Sequence, residues 1–496
     1  MRHIPRWSIG SCLLVLAACD RPEEPQPVRF APFAEDLFAD GGALTDAWAD
    51  VDQDGDPDRF VGFNGTPSRL YRNDGIDGFA DIAAEVGLLV ERSVRTSAWG
   101  DFDADGDPDL LLGYAGEAPV TALWRNDTDG FTEISAEVGL QLEVGTTRQA
   151  AWIDTDADGD LDLYLGMRDG PNRLFIQDEG QFTDQAAELG LGDPRRTVGA
   201  VWFDDGDGWL DVIVANMNGD ANGLYQGSPT GFTESADDVV RGGGRTVGDE
   251  AEGSVRPCSV DYDSDGDFDL FFANYGANGL LEYTDSGWLN RAETLGVANS
   301  SRYDTCAWAD FDHDGSIDLF VNGTVGGETH YRDWLMRREG DPVFMDVTPA
   351  EILDRNASHG ATWVDFDLDG DLDLALAGAA ADGTHSLLQN LLRPEFSWHS
   401  LQVRVLDAAG RSTRAGAEVR IYAAGLRELL GTRRVDSGSG YDAQSDLPVH
   451  FGIPGGQRVD VEVIVPGGGQ RFVTRVEDVD PRDYQGRVLD VRTSGQ

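Results

Sequence analysis

Apolar residues in this chain fall in short runs separated by polar stretches rich in aspartate and glycine, as at Leu110-Leu111-Leu112-Gly113 and Leu270-Phe271-Phe272-Ala273. Short runs of this kind, rich in β-branched and aromatic residues and bounded by Gly and Asp, predict strands. Their near-continuous apolarity predicts burial on both faces. A third segment follows each run: Leu70-Tyr71-Arg72-Asn73, Leu123-Trp124-Arg125-Asn126, Leu174-Phe175. A fourth begins near Phe79, Phe131, Phe182 and Phe232 and often ends in Gly-Leu, as at Gly87-Leu88, Gly139-Leu140 and Gly190-Leu191. Ahead of each run stands an aromatic: Trp48, Trp99, Trp152, Trp202, Trp308 and Trp363, with Ser259 the exception. Four short strands in a unit of about 50 residues match a propeller blade, four to eight of which close a ring. An open solenoid usually has shorter coils and needs a cap at each end. The pattern predicts an all-β chain, a seven-bladed β-propeller over 32–393 followed by a small β-domain over 394–496.

One motif, Asp-x-Asp-x-Asp-Gly-x-x-Asp, sets the period. Its copies place Asp50, Asp52, Asp54, Asp56 and Asp58 in the first loop, then Asp101, Asp103, Asp105, Asp107 and Asp109. Asp154, Asp156, Asp158, Asp160 and Asp162 form the third. A shortened fourth copy runs from Asp204 through Asp205 and Asp207 to Asp211. Asp261, Asp263, Asp265, Asp267 and Asp269 follow, then Asp310, Asp312, Asp314, Ser316 and Asp318, then Asp365, Asp367, Asp369, Asp371 and Asp373. Starts lie 49 to 57 residues apart.

Calcium takes six to eight oxygens at about 2.3–2.6 Å. A tight loop meets this with side chains at positions 1, 3, 5 and 9, a glycine at position 6 and the carbonyl of position 7. Carboxylates converging on one point repel unless a cation lies among them. Position 12 is Val61, Leu112, Leu165, Phe272, Val321 or Leu376, so the bidentate glutamate of an EF-hand is absent. A plain turn needs one Asp-Gly, not three aspartates spaced by two and a fourth beyond. The residues point to six or seven structural calcium ions, with the shortened fourth loop in doubt. Ser316 stands where only a carbonyl is required.

Charge sharpens the picture: 90 Asp+Glu against 38 Lys+Arg give a net charge of −52, which repels nucleic acid and anionic lipid. Arg2, His3 and Arg6 precede the apolar run Trp7–Ala18, which reads as an export signal over 1–18. Leu16-Ala17-Ala18-Cys19 is similar to the bacterial lipobox, which implies lipidation of Cys19 and a polar tether over 19–31. Membrane contact is then through that lipid alone. An ordinary signal peptide leaving a soluble protein is the alternative. Export permits a disulfide between Cys258 and Cys306, and two buried thiols are equally compatible with the sequence.

Residues of about 45–390 resemble the FG-GAP/VCBS repeats of integrin α-subunit propellers and bacterial surface proteins. That resemblance implies structural calcium in loops joining two strands of a blade. Beyond Pro394, Leu401–Val405, Glu418–Tyr422, Val459–Val465 and Val488–Val491 alternate like strands. Gly416-Ala417, Gly438-Ser439-Gly440-Tyr441, Ser445, His450-Phe451-Gly452 and Pro466 resemble an ASPIC/UnbV domain, although Val465 stands where that family usually has tryptophan. His450 reads as a packed residue. The chain carries no Gly-x-Ser-x-Gly, His-Glu-x-x-His, phosphate loop or Cys-x-x-Cys. The reading is a monomeric, exported binding or adhesion module of the cell envelope, with a protein or polysaccharide partner. A propeller enzyme acting on a glycan and a structural envelope role are the alternatives. The long connection over 241–254 is the insertion expected to carry function.

Overall fold

The computed structural model describes residues 27–494, apart from short stretches at 117, 128–129, 327–328, 340–341, 354, 356–358, 382, 394–395, 397, 436–437, 439–442 and 446–447. The export signal, Cys19 and most of the tether lie outside the described residues. Seven four-stranded antiparallel units follow one another. The second unit is typical: Val94–Gly100, Asp109–Tyr114, Thr121–Asp127 and Gly130–Glu133, paired in that order. First strands of successive units neighbour one another in a closed cycle, the first unit meeting the seventh. The chain is an all-β propeller.

Closure uses a strand the sequence pattern did not single out. Phe30–Phe33 pairs antiparallel with Leu387–Asn390 and completes the seventh unit, whose other strands are Gly360–Val364 and Asp373–Ala377. One sheet is thus built from both ends of the ring.

The aromatic before each loop packs between units. Trp48, Trp99, Trp152 and Trp202 are fully buried. Trp48 Nε1 donates to Thr362 Oγ1 at 3.1 Å and Trp152 Nε1 to Ala98 O at 3.2 Å, each on the preceding unit. The recurring Gly-Leu ends have a steric cause. Gly190 closes the turn Ala186–Leu189 with φ of 87°, and a β-carbon there would lie 2.4 Å from Phe232 O of the next unit. Only glycine allows that approach, and Leu191 is then buried.

Cys258 and Cys306 form a disulfide between the first strands of the fifth and sixth units. The 241–254 connection is fastened from within. Buried Arg245 donates to Asn216 O, Asn222 Oδ1 and Ser254 Oγ at 2.9–3.1 Å, which leaves Val247, Asp249 and Glu250 outward.

The C-terminal part is a β-sandwich. Ser400–Leu406 pairs with Val449–Gly452 and Leu489–Arg492, and Leu429–Arg434, Glu418–Ala423, Val459–Gly467 and Gln470–Val479 form the facing sheet. Val403, Val419, Ile421, Phe451, Val463 and Val491 lie in its core. Ala443–Gln444 leaves this domain and adds a parallel strand to Asp46–Ala47, on the edge of the first unit that faces the ring axis. Gln444 Oε1 accepts from Trp99 N at 2.6 Å, and its Nε2 donates to Trp99 O at 3.2 Å. The domain therefore sends a segment into the ring centre, which nothing in the strand pattern foretold. Among the described residues no helix is long and apolar enough to cross a membrane.

Candidate metal centre

Every loop joins the first strand of a unit to the second, and one frame recurs. In the second unit Gly106 N donates to Asp101 Oδ2 at 3.1 Å and Asp107 N to Asp105 Oδ1 at 3.0 Å. Asp109, at position 9, accepts from Phe102 N at 3.1 Å and from Asn126 N at 2.8 Å, so it joins the loop to the third strand. Asp58 and Asp162 repeat this with Val51 and Asn73, and with Thr155 and Gln177. Position 9 is thus an anchor of the backbone as well as a carboxylate facing the centre.

Two features of the loop escaped the sequence reading. The residue at position 4 adopts a left-handed backbone in all six full copies: Gln53, Ala104, Ala157, Ser264, His313 and Leu368 have φ between 55° and 64°. This conformation costs a non-glycine residue about 1 kcal/mol or more, so the surrounding loop must hold it. The second feature is the asparagine or glutamine at the last or next-to-last position of four third strands. Asn73 Nδ2 donates to Phe366 O at 2.7 Å, Asn126 to Val51 O at 3.0 Å, Gln177 to Phe102 O at 3.2 Å and Asn390 to Phe311 O at 2.8 Å. Each acceptor is position 2 of the preceding unit's loop. The sixth, seventh, first, second and third loops are thereby linked in series. The repeated Arg-Asn pair at 72–73 and 125–126 was the available signal.

Carboxylate oxygens of Asp50, Asp52 and Asp58 lie within 4.8 Å of one another, as do those of Asp101, Asp103 and Asp109, and of Asp154, Asp156 and Asp158. Asp261, Asp263 and Asp265 converge in the same way, and so do Asp204, Asp205 and Asp207. Asp204 stands at position 1 of the shortened loop. Buried oxygens without a hydrogen-bond partner include Asp101 Oδ1, Asp261 Oδ2 and Asp365 Oδ1 at position 1, with Asp312 Oδ1 at position 3 and Asp318 Oδ2 and Asp373 Oδ2 at position 9. Each unpaired buried acceptor costs about 1–3 kcal/mol, more when charged. Burial, with neighbouring carboxylates, pushes Asp58, Asp109 and Asp269 up to about 8, Asp154 to about 7 and Asp101 to about 6. A divalent ion among them would relieve both penalties, so the residues fit calcium.

A pH dependence follows. In the metal-free chain these carboxyls titrate above the ordinary value of 3.8. Between about pH 4 and pH 8 the folded state then holds protons that the unfolded state has released, and stability falls as pH rises. In EDTA the unfolding temperature is expected to drop from pH 5 to pH 8. In calcium, which binds the deprotonated form, the slope should flatten or reverse. Calorimetry at both pH values in both buffers measures this, and an EDTA profile that is flat or rises contradicts it.

The C-terminal domain covers these loops. Gln402 Nε2 donates to Asp365 Oδ2 at 2.6 Å and Ser400 Oγ to Gly370 O at 2.7 Å. Arg420 donates to Gly266 O at 2.7 Å, and His450 Nε2 lies 3.1 Å from Gly370 O. His450 is buried against His313 and belongs to this contact. Beside the inserted segment lies a cavity of about 170 Å³ lined by Cys258, Trp308, Trp363, Arg433 and His450.

A family model described as FG-GAP-like repeat matches residues 50–112, 101–165, 154–214 and 261–321, and one described as ASPIC and UnbV matches 409–480. The chain carries FG-GAP repeats and an ASPIC/UnbV domain. The matched FG-GAP stretches begin at Asp50, Asp101, Asp154 and Asp261, each position 1 of a loop. Among curated proteins, the chain is 25% identical to cartilage acidic protein 1 of Homo sapiens over 473 residues, 85% of this chain and 68% of that protein. It is 25% identical to the Mus musculus protein of that name over 323 residues, 62% of this chain and 40% of the relative. The Xenopus tropicalis protein is 26% identical over 416 residues, 74% of this chain and 60% of the relative. A crystal structure of BBS1N in complex with ARL6DN, soaked with mercury, superposes at a TM-score of 0.47 and 8% identity over 74% of this chain and 98% of that one. A likeness that distant bears on neither site nor function. No catalytic family is among these matches.

Proposed function

We propose that this chain is an exported, lipid-anchored binding module whose FG-GAP propeller is stabilised by calcium in its six full loops. The observation that carries the calcium reading is the set of buried, partnerless carboxylate oxygens at position 1: Asp101 Oδ1, Asp261 Oδ2 and Asp365 Oδ1. Acidic clusters alone are common on protein surfaces. Buried acceptors facing two further carboxylates are not, because desolvation and like charge both disfavour them. Ions would stiffen loops that are already linked by Asn73, Asn126, Gln177 and Asn390. Export and anchoring rest on the Arg2–Ala18 run and Leu16-Ala17-Ala18-Cys19.

With the C-terminal domain over the loop face, the opposite face is left for a protein or polysaccharide partner. Val247, Asp249 and Glu250 project there from the pinned insertion. Gln444 and its neighbours occupy the axial position that a propeller enzyme would use for substrate, which favours binding over catalysis. The test is a screen of the full mature chain on glycan and protein arrays, with calcium and with EDTA. A ligand retained in calcium, and weakened by Val247→Ser, Asp249→Ser and Glu250→Ser together, supports the reading. Turnover of an arrayed glycan, or binding indifferent to both calcium and these substitutions, contradicts it.

A further inference from the structure

We propose that the fourth loop holds no calcium: the guanidinium of Arg471 in the C-terminal domain supplies its cation, and this contact latches that domain to the ring. The inference rests on the calcium reading for the other six loops only in its contrast with them.

The fourth loop is one residue shorter between its first two aspartates, Asp204 and Asp205. It keeps the hydrogen-bond frame regardless. Gly208 N donates to Asp204 Oδ1 at 2.9 Å, as the position-6 glycine does elsewhere, and Trp209 N donates to Asp207 Oδ1 at 2.8 Å. Asp204 Oδ1 also accepts from Gly206 N at 2.9 Å. What differs is what meets the remaining oxygen of position 1. In the second, fifth and seventh loops it is buried and without a hydrogen-bond partner, and in the third and sixth it accepts from the backbone N of position 5. In the fourth, Asp204 Oδ2 lies 2.9 Å from Arg471 Nε, an ion pair rather than an aligned hydrogen bond.

Arg471 is itself held. Its Nη2 donates to Glu418 Oε2 at 2.6 Å, and Glu418 is 4% exposed. Glu418 also bonds Arg420, which donates to Gly266 O of the fifth loop. The result is a continuous run from one loop to the next, Asp204–Arg471–Glu418–Arg420–Gly266. Backbone contacts fix the same spot. Gly469 N donates to Gly208 O at 3.1 Å, and a β-carbon on Gly208 would meet Gln470 N at 2.4 Å. A hairpin turn from the C-terminal domain is therefore seated on the fourth loop.

A guanidinium stays charged at any pH the protein meets. Calcium bound to Asp204 at about 2.4 Å would sit within a few ångströms of that fixed positive charge, in a partly buried setting where like charges repel strongly. One cation excludes the other. The sequence contains no lysine, and all 38 of its Lys+Arg residues are arginine, whose planar fork can engage two carboxylates at once, as Arg471 does with Asp204 and Glu418.

The test counts ions and probes the hairpin on the full mature chain. Native mass spectrometry in calcium should give six ions in the natural protein, six in the Asp205→Asn/Asp207→Asn double variant, and five in the Asp103→Asn control. Hydrogen exchange across residues 467–475 should speed up at least tenfold in Arg471→Gln while the propeller strands stay protected. Seven ions in the natural protein, with one lost in the Asp205→Asn/Asp207→Asn variant, overturn the proposal. So does unchanged hairpin exchange in Arg471→Gln. If the natural chain and the Asp103→Asn control both carry no ion, the calcium reading falls, and the latch stands or falls on hairpin exchange.

Discussion

Transfer from 1 mM calcium to EDTA is expected to lower the unfolding temperature further than any single substitution. A site held at a hundredfold its dissociation constant adds about 2.7 kcal/mol to folding stability, so six independent sites add on the order of 16 kcal/mol. That matches or exceeds the entire stability of a typical domain, about 5–15 kcal/mol. Removing the ions also leaves the buried oxygens of Asp101, Asp261 and Asp365 facing other carboxylates. Because Asn73, Asn126, Gln177 and Asn390 link loops to their neighbours, loosening should spread from the sixth loop through the seventh and first to the third. Scanning calorimetry in the two buffers reads the shift, expected to be on the order of 20 °C or more. Equal midpoints would show that the loops are stabilised without an ion.

The second large effect separates the two roles played by loop aspartates. Asp109→Ala is expected to cost about 4 kcal/mol in EDTA, because Phe102 N and Asn126 N both lose a buried acceptor, each worth about 1–3 kcal/mol when left unpaired, and more in calcium, where a carboxylate of the cluster is lost as well. Asp103→Asn should behave otherwise. Its side chain is exposed and it anchors no strand, so it should cost about 2–3 kcal/mol in calcium and nothing in EDTA, where it removes a repelling charge. Denaturant unfolding of the natural chain and both variants, in both buffers, measures the four differences. Equal costs for Asp103→Asn in the two buffers would refute the ligand role, and a negligible cost for Asp109→Ala in EDTA would refute the anchor.

The parts of the structure written in local sequence were legible there. Six of the seven first strands carry a tryptophan one residue before their end because that ring fills the gap between units, and the second strands are largely apolar after their opening aspartate because both faces are covered. The loop declares itself through the spacing of its aspartates. The left-handed turn at position 4 left no mark, since Gln53, Ala104, Leu368 and the others share no chemistry. Phe30–Phe33 is four residues long and contains a proline. It is a strand only because Leu387–Asn390 offers an edge, a tertiary fact that local propensity does not carry. Gly438 and Gln444 lie in a stretch that the sequence marks as a family signature without indicating a role. Their role is set by the ring axis, where Gln149 Nε2 donates to Gly438 O and the Gln444 amide pairs with Trp99. Cys258 and Cys306 are 48 residues apart in sequence and meet because adjacent first strands run side by side. The covering of the loop face by Gln402, Arg420 and His450 was likewise invisible, because a list of strands does not say where a second domain sits.

A crystal structure of the full mature chain grown in calcium, with anomalous scattering recorded, tests the central claim most directly. It should show one peak in each of the six full loops, with oxygens of positions 1, 3 and 5 at about 2.3–2.6 Å, and none beside Asp204. Loops that keep this backbone while holding only water would contradict it.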